Sequence, residues 1–319
     1  MGRVFRPDSL TVGLILPLET HPGAPWPTMA DHLAMAARAE SLGFSALWLR
    51  DIPFYDPRYG DAGQIYEPMV YMAALAAATR TIALGTAGIV LPLRDPKLLA
   101  RQATSVDQLS NGRLLLGLSS GDRPAEYPLF DVDFESRGER FRDAFEVLRT
   151  VTDQDFPEFN SPRFGKSSGE FDLLPKSVDK ALPLLGIGRA QQSTDWLAEH
   201  VDALIVPAPH PSELPALSQD WNARAARVNH PGIRRPLGVA GFLDLVEEAN
   251  HPLQKIRGGF RTGRAGLATL LEAIAASGIE HVALNPKISR RPYAELMAEM
   301  AELVFPLVPR LDRGDHLSL

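Results

Sequence analysis

A glycine- and serine-rich segment, residues 117–121 (GLSSG), has the G-x-S-x-G spacing of a serine-hydrolase nucleophile elbow. It follows a short apolar run, as that motif requires. A nucleophile elbow turns at once into a helix, whereas Asp122, Arg123 and Pro124 continue a polar loop. The spacing therefore favours a backbone loop beside an anion, and the hydrolase alternative predicts an esterase activity that Ser119→Ala would abolish.

Residues 186–191 (GIGRAQ) begin like a dinucleotide-binding fingerprint but lack its final glycine. Glycines after a strand, followed by the polar run 191–194 (QQST) at the start of a helix, offer free N–H groups and hydroxyls to an anion. Arg189 supplies positive charge. A plain turn with a serine or threonine helix cap fits the same spacing equally well.

The eight histidines do not predict a metal site, because no two of them have i, i+4 spacing with a carboxylate nearby. His21 follows the first apolar run of the chain and is the histidine best placed to face an active site. A solvated loop histidine fits its position equally well.

Charged side chains concentrate in two further loops: Arg50, Asp51, Asp56, Arg58 and Asp61 in one, and Asp122, Arg123 and Glu126 in the other. Balanced charges in loops are usually solvated pairs that contribute little. Asp51 is expected to differ, because it stands directly at the end of an apolar run and a strand-end side chain points into the site.

The composition excludes several classes of protein. The 319 residues contain no cysteine, which removes disulfides, thiolate metal ligands, iron–sulfur clusters and cysteine nucleophiles. A net charge of −6 without a basic stripe argues against nucleic acid as a partner. Neither a signal sequence nor an apolar stretch of membrane-spanning length is present, so we expect a cytoplasmic protein with no membrane partner.

Eight short apolar runs alternate with segments of helical spacing, which is the pattern of βαβ units. The runs lie near residues 10–16, 46–50, 81–86, 113–118, 183–187, 202–206, 236–242 and 280–285. Eight such units predict an α/β fold, a (β/α)₈ TIM barrel that forms a single domain over residues 1–319. A doubly wound open sheet also alternates strands and helices and is the rival fold.

Local signals place the ends of two helices. Thr28 is expected to cap the helix after the first strand. Asp95 and Pro96 predict the start of the third helix, and Asn111 and Gly112 predict its end.

Two segments depart from the repeating pattern. Residues 153–180 are polar and rich in proline and glycine, and we interpret them as an insertion between units four and five that serves as an ordered excursion or a lid. The charged tail, 310–319, is expected to be frayed. In a barrel, the active site lies on the loops that follow the strands, which include the segments 17–27, 51–66, 87–95, 119–136, 186–193 and 285–291.

Three segments carry a family resemblance: residues 84–96 (LGTAGIVLPLRDP), 107–121 (DQLSNGRLLLGLSSG) and 192–200 (QSTDWLAEH). In this order and at barrel spacing they resemble the bacterial luciferase-like monooxygenase superfamily. Residues 120–128 (SGDRPAEYP) and 136–141 (SRGERF) look like an uncharacterised bacterial subgroup of luciferase-type oxidoreductases. The resemblance covers roughly residues 10–305.

The resemblance implies a (β/α)₈ barrel that binds FMN or the deazaflavin F420 at its C-terminal mouth and forms a homodimer or a larger homo-oligomer. Ala87 and Gly88 match the place where the family has a non-proline cis peptide or bulge behind the flavin ring. The phosphate region falls on Ser120, Gly121, Arg189, Ala190, Gln191, Gln192 and Ser193. Luciferase itself has an arginine where this chain has Ser120, and it has a reactive cysteine that this chain lacks, so light emission is not implied.

We therefore expect a two-component monooxygenase that uses O₂ and reduced FMN, delivered by a transient flavin reductase partner, to oxygenate a small organic substrate. His21, Asp51, Tyr66 and Arg123 are assigned to the substrate side, where they could transfer protons or make polar contacts. One alternative is an F420-dependent reductase or dehydrogenase, for which Asp51 and Glu126 could supply acid groups. A second alternative is a non-catalytic flavin-binding relative.

Overall fold

The computed structural model describes residues 1–228 and 232–313. Within this part of the chain, eight parallel strands form a closed barrel: β1 Thr11–Ile15, β2 Ala46–Leu49, β3 Ala83–Thr86, β4 Leu114–Ser119, β5 Leu184–Ile187, β6 Ala203–Pro207, β7 Leu237–Leu245 and β8 His281–Asn285. Each strand pairs with the next, and β8 closes the barrel by pairing with β1. The predicted barrel is confirmed, and the rival open sheet is excluded.

The helices lie between successive strands and cover the outside of the barrel. They are α1 His32–Ser41, α2 Pro68–Ala78, α3 Pro96–Ser110, α4 Arg137–Asp153, α5 Thr194–His200, α6 Leu214–Val228, α7 Arg264–Ala276 and α8 Tyr293–Glu299. Shorter strands pair with two of the barrel strands. Ile89–Val90 pairs with the end of β4, and an antiparallel hairpin, Gln254–Ile256 with Gly259–Thr262, extends β7.

The side chains of the strands form two separate hydrophobic clusters. One fills the barrel interior and includes Ile15, Trp48 and Leu115, and a larger one packs the strands against the helices. Strand side chains alternate between the two faces, so each strand contributes to both clusters. The continuous apolar runs of the sequence follow from this two-sided burial.

A satisfied polar network lies inside the barrel, around the fully buried ring of His281. Its Nε2 accepts a hydrogen bond from Trp48 Nε1 at 2.9 Å, and its Nδ1 lies 2.7 Å from Thr11 Oγ1. Burial lowers the pKa of His281 to about 3, so the ring stays neutral at pH 7. Because Nε2 accepts, the proton of the neutral ring is on Nδ1 and points to Thr11.

The helix signals were confirmed at α3. Asp95 accepts hydrogen bonds from the backbone N–H groups of Lys97 and Leu98, Pro96 occupies the first helical position, and Asn111 ends the helix in the left-handed conformation. The predicted cap at Thr28 is wrong: α1 begins at His32, and the Thr28 hydroxyl donates to Glu19 Oε2 at 3.0 Å instead.

The insertion contains an antiparallel hairpin, Glu158–Ser161 with Gly165–Ser168. Lys97 of α3 donates to the Phe164 carbonyl at 2.8 Å, and Arg163 forms an ion pair with Asp143 of α4. These contacts hold the hairpin against the amino-terminal turns of α3 and α4. The insertion is therefore ordered at this hairpin, and its role as a lid stays a prediction.

The last described residues pack against the start of β1. Leu311 forms an isolated parallel bridge with Leu10, and Asp312 forms an ion pair with Arg6. Residues 314–319 of the tail that was expected to fray lie outside the described residues. No helix in the described part of the chain is both long and apolar enough to cross a bilayer.

Candidate functional site

The loops that follow the barrel strands form a mouth, and one wall of it is built by the segment after β3, which reaches across to the end of β5. The peptide bond between Ala87 and Gly88, directly after β3, is cis, as the resemblance implied. Gly88 lies against the end of β5, since a Cβ atom at this position would come within 2.7 Å of Ile187 Cγ1. Only glycine allows this approach, so no side chain at position 88 covers the flat peptide group that joins Ala87 to Gly88.

The turn after β5 leaves several backbone N–H groups unpaired. Gly188, Ala190 and Gln191 have positive φ angles of 63°, 46° and 58°. The backbone N–H groups of Arg189, Ala190 and Gln191 have no acceptor among the described residues. Successive unpaired N–H groups in such a turn form a concave anion-binding site, and the exposed side chain of Arg189 adds positive charge at its edge.

Gln192 and Ser193, also predicted to bind the cofactor, instead hold this turn in place. The Gln192 amide donates to the Gly138 and Ala190 carbonyls at 2.9 and 3.0 Å. Ser193 Oγ accepts a hydrogen bond from Trp196 N at 3.2 Å and caps α5. Both side chains therefore support the turn, and the groups it leaves unpaired are the backbone N–H groups.

Ser120 and Gly121 follow β4 on the neighbouring loop. The Ser120 carbonyl accepts a hydrogen bond from the Tyr127 hydroxyl, whose pKa burial raises to about 12. Gly121 has φ +71°, and a Cβ atom there would come within 2.8 Å of Val90 Cγ1. The β4 loop is thus held closely against the segment that follows Gly88.

A cavity of about 520 Å³ extends outward from the turn after β5. Its lining includes Gly188 and Arg189 from the turn, Val206 and Pro207 from the end of β6, and Leu217 of α6. Gly188 has open space where a Cβ atom would point. The anion-binding turn therefore adjoins a space that can hold more than a single phosphate group.

On the other side of the mouth, Asp61 lies at the centre of a cluster of charged side chains. Its carboxylate forms ion pairs with Arg50 and Lys287, and its backbone carbonyl accepts from Arg123 Nη2 at 3.0 Å. Burial alone would raise the pKa of Asp61, but Arg50 and Lys287 hold it far below its usual range. Asp61 is therefore ionised at every physiological pH.

Lys287 was missed by the sequence interpretation. It is buried, and burial lowers its pKa, although Asp61 opposes this effect. The sequence interpretation assigns Asp61 to solvated pairs, a description that fits the Arg58–Asp56 pair better, since its arginine is exposed. A signal for Lys287 was present, because it follows β8 by two residues and therefore belongs to a strand-end loop.

Arg123 and Glu126 face each other inside the same cluster without a direct hydrogen bond. Arg123 Nη1 and Glu126 Oε1 are 3.7 Å apart, and both atoms are buried without a hydrogen-bond partner among the described residues. The Arg123 guanidinium lies 4.8 Å from the ring centre of Tyr59. Burial raises the pKa of Glu126, and Arg123 partly opposes this effect.

His21 lies beside this cluster. Its backbone N–H donates to the Lys287 carbonyl at 3.3 Å. Burial lowers the pKa of the imidazole, and the charge of Lys287 contributes in the same direction. The structure therefore brings together His21 and Arg123, two of the four residues assigned to the substrate side.

Asp51 and Tyr66, the other two, are engaged elsewhere. The Asp51 carboxylate accepts from Arg94 Nη2 at 2.8 Å, from Arg94 Nε at 3.0 Å and from Val90 N at 2.9 Å. Tyr66 packs edge-on against His32 and Tyr71, with ring centres 5.5 and 5.3 Å away. This geometry favours a positioning role for Asp51, which ties β2 to the segment after Gly88, over proton transfer.

The hydrolase alternative gains no support from the geometry. Ser119 Oγ lies 3.3 Å from the carbonyls of Gly88 and Ile89. The next α-helix begins only at Arg137, after a 3₁₀ segment, Pro124–Phe130. Ser119 therefore joins two strand ends and does not form a nucleophile elbow.

Comparisons with known proteins concern the family and the fold of the chain. A family model described as luciferase-like monooxygenase matches residues 11–304. An uncharacterised protein of Mycobacterium tuberculosis is 31% identical over 192 residues, which cover 52% of this chain and 64% of that protein. The chain thus spans less than two thirds of the length of this relative.

Two solved structures share the fold. A monooxygenase of Streptomyces bottropensis superposes with a TM-score of 0.74 at 18% identity, covering 93% of this chain and 99% of that one. An F420-dependent secondary alcohol dehydrogenase, in complex with an F420–acetone adduct, gives a TM-score of 0.75 at 18% identity and covers 94% and 99%.

Proposed function

Because the chain belongs to the luciferase-like monooxygenase family, we propose that it is a flavin-dependent monooxygenase that uses reduced FMN and O₂ to oxygenate a small organic substrate. We place the phosphate site at the turn after β5, because the N–H groups of Arg189, Ala190 and Gln191 lack acceptors there among the described residues. FMN ends in a phosphate group, which is the anion that such a turn binds.

The residues at the mouth fit this cofactor. The flat surface at Ala87 and Gly88 would support the flavin ring, and the open space beside Gly188 would admit the chain that leads to the phosphate. Arg189 would add charge to the phosphate site. Ser120 and Gly121 would border it from the β4 loop. When bound, reduced FMN would supply the electrons that activate O₂.

The chain's own side chains would position the substrate and handle protons. His21, whose pKa is lowered, is neutral at pH 7 and can accept a proton. Glu126, whose pKa is raised, is the carboxyl group of the mouth best suited to hold one. Arg123 and Lys287 would attract substrate polar groups to this side, and Tyr66 would lie at its outer edge. A transient flavin reductase, a homodimer or larger homo-oligomer and a cytoplasmic location belong to the same proposal.

Cofactor titration tests this function. The purified protein, held without oxygen, is titrated with reduced FMN and with F420, and O₂ is then admitted together with a flavin reductase. The proposal predicts micromolar binding of reduced FMN. Micromolar binding of F420 alone would overturn it, and tight flavin binding without O₂ consumption coupled to oxygenation of any compound in a substrate screen would indicate the non-catalytic alternative.

The phosphate assignment has a sharper test in the pair FMN and riboflavin, which differ by the phosphate group. Arg189→Ala is expected to weaken FMN binding by about tenfold and to leave riboflavin binding unchanged, because it removes charge only beside the phosphate. Arg101→Ala, at an exposed position of α3, is the matched control. Equal losses for both ligands in Arg189→Ala would contradict the assignment.

A second candidate function, an F420-dependent reductase or dehydrogenase, is favoured by the cavity that adjoins Arg189. F420 continues beyond its phosphate group, whereas FMN ends there, and the cavity of about 520 Å³ offers room for such an extension. A bulky substitution at the far side of the cavity, Leu217→Trp, separates the two candidates. It would weaken F420 binding and leave FMN binding intact if the extension occupies this space.

A further inference from the structure

The charged cluster at the mouth has an unbalanced composition. Arg50 and Lys287 form ion pairs with the Asp61 carboxylate, and Arg123 bonds to the Asp61 backbone carbonyl. Within the described residues, Glu126, which faces Arg123, is the second carboxylate that these cations contact. The neighbouring Asp51 and Glu67 share an ion pair with Arg94, and Asp122 and the Arg58–Asp56 pair lie at the edge of the cluster. Among the direct contacts, three cations thus face two carboxylates in a mostly buried space, where an unpaired charge is costly.

The unpaired donor of this cluster has a definite location, at Arg123. This side chain is 6% exposed, and only its Nη2 atom makes a hydrogen bond in the part of the chain that the structure describes. Nη1 and the facing Glu126 Oε1 are each buried without a partner. Buried polar groups in proteins are nearly always hydrogen-bonded, so an unpaired guanidinium N–H at the mouth of a barrel calls for an external acceptor.

The distance between Arg123 Nη1 and Glu126 Oε1 restricts the chemical class of this acceptor. At 3.7 Å, Arg123 Nη1 and Glu126 Oε1 are too far apart to bond to each other. An incoming carboxylate can accept from Nη1 on one oxygen. Glu126 can donate to the other oxygen only in its protonated form, which burial favours because it raises the pKa of this carboxyl group. A neutral amide or alcohol would satisfy the hydrogen bonds but would leave the excess positive charge uncompensated.

Exposed aromatic side chains on the loops of the mouth favour an apolar body attached to this anion. Tyr59 covers the Arg123 guanidinium, Phe54 lies 6.1 Å from Phe130, and Trp26 lies 5.5 Å from Tyr55 between ring centres. These five aromatic side chains come from the loops after β1, β2 and β4 and are between 38% and 53% exposed. Exposed aromatic groups around a few convergent polar groups are typical of small-molecule sites.

We propose that the substrate is an organic carboxylate with an apolar body, whose carboxylate is bound by Arg123 between the loops after β2, β4 and β8. This inference rests on the proposed flavin-dependent function, because it places the substrate at the same mouth as the cofactor. Arg123 and Glu126 would bind the carboxylate, while Arg50, Asp61 and Lys287 hold the surrounding loops and keep the local charge positive.

Three pairs of probes test the charge preference: benzoate, phenylacetate and 3-phenylpropanoate, each with its neutral amide. Binding to the full-length protein without flavin is measured by calorimetric titration at low ionic strength. At least one carboxylate is expected to bind roughly 10- to 100-fold more tightly than its amide. If none of the three carboxylates binds more tightly than its amide, the inference is overturned.

Variants locate this preference. Arg123→Met keeps the side-chain volume and is expected to abolish the preference for the carboxylate, while Arg58→Met, at an exposed arginine on the loop after β2, is expected to retain it. Glu126→Gln removes a negative charge and retains a donor, so it is expected to bind the carboxylate as tightly as the unmodified protein or more tightly. Unaltered carboxylate binding in a folded Arg123→Met variant would contradict the proposal, as would equal losses in Arg123→Met and Glu126→Gln.

A carboxylate can also come from the cofactor, since F420 carries such groups and FMN does not. FMN and F420 are therefore titrated into the same variants. If Arg123→Met weakens F420 binding and leaves the aryl carboxylates unaffected, the anchor serves the cofactor and the substrate inference fails. FMN binding without any carboxylate preference would overturn only this inference, and a carboxylate preference without flavin binding would overturn the proposed function.

Discussion

Two buried arginines flank the same barrel strand and differ in how far the protein satisfies them. Arg113 directly precedes β4, and its guanidinium donates to the Ser110, Ile82, Ala76 and Thr79 carbonyls and to the Thr79 hydroxyl at 2.7 to 3.1 Å. Arg123 follows β4 by four residues and is buried to a similar degree, but it makes one hydrogen bond to the described residues, at 3.0 Å.

This difference indicates that the two ends of the barrel have different roles, one structural and one in ligand binding. Arg113 ties the carboxyl ends of α2 and α3 to the start of β3, so its donors are used in holding the fold. The histidines follow the same division, since His281 is bonded on both ring nitrogens inside the barrel and His21 lies half-buried at the mouth. Complete hydrogen bonding indicates a structural role, and incomplete hydrogen bonding in a strand-end loop indicates a ligand.

The largest predicted effect concerns the two arginines directly. Arg113→Met is expected to lower the free energy of unfolding by about 3–5 kcal/mol, because it leaves several buried acceptors without donors. Arg123→Met is expected to lower it by about 1 kcal/mol or less, because the side chain makes little use of its donors. Urea denaturation of both variants measures the difference, and equal losses would remove the distinction between the two ends.

The second prediction concerns the centre of the charged cluster. Asp61→Asn is expected to lower the free energy of unfolding by about 2–3 kcal/mol, since Arg50 and Lys287 would then face each other without a carboxylate between them. Added aryl carboxylate is expected to restore part of this loss. Asp56→Asn, which alters the pair with the exposed Arg58, serves as the control and is expected to change little. A loss in Asp61→Asn that no anion reduces would contradict a mouth built for anions.

The third prediction is a pH dependence that comes from the barrel interior. The pKa of His281 is lowered to about 3, so the ring takes up a proton on unfolding but not in the folded state. Stability attributable to this residue is therefore lost as the pH falls below about 6.5, by about 2 kcal/mol between pH 7 and pH 5. Urea denaturation at pH 7 and pH 5 measures the change in the free energy of unfolding between the two pH values. This change is expected to be smaller in His281→Gln and unaltered in His210→Gln, which replaces an exposed histidine. A pH dependence that His281→Gln leaves unaltered would contradict the assignment.

The smallest predicted effect concerns Ser193 and distinguishes a helix-capping role from a phosphate-binding role within the mouth. Ser193 uses its hydroxyl to cap α5, so Ser193→Ala is expected to cost about 1 kcal/mol of stability and to leave FMN affinity nearly unchanged. Chemical denaturation and FMN titration of the same variant separate the two roles. Lost FMN affinity at unaltered stability would return Ser193 to the phosphate site.

The fold could be predicted from the sequence because its signals are local. Each barrel strand is an apolar run buried on both faces, and the start of α3 is fixed by Asp95 and Pro96, adjacent residues with defined capping roles. The predicted helix cap at Thr28 was wrong because Glu19, which accepts a hydrogen bond from Thr28, lies nine residues away in a loop with no periodic pattern. Capping residues identify helix ends reliably only when no other acceptor reaches them.

The site was predicted in part. The cis bond at Ala87 and Gly88 and the turn at Arg189 follow from family resemblance and from glycine placement. The charged cluster could not be derived, because Lys287 and Asp61 are 226 residues apart and their pairing depends on barrel closure. Asp51 was placed correctly at a strand end, but its neutralisation by Arg94 depends on the course of the loop after β3.

The central claim is that the ligands occupy the incompletely bonded mouth, with the cofactor phosphate at the turn after β5. A crystal structure of the protein with FMN bound tests this most directly. It is expected to show the phosphate within hydrogen-bonding distance of the N–H groups of Arg189, Ala190 and Gln191, and the flavin ring against Ala87 and Gly88. A phosphate bound at Arg123 and Lys287, or FMN bound outside the mouth, would contradict the account.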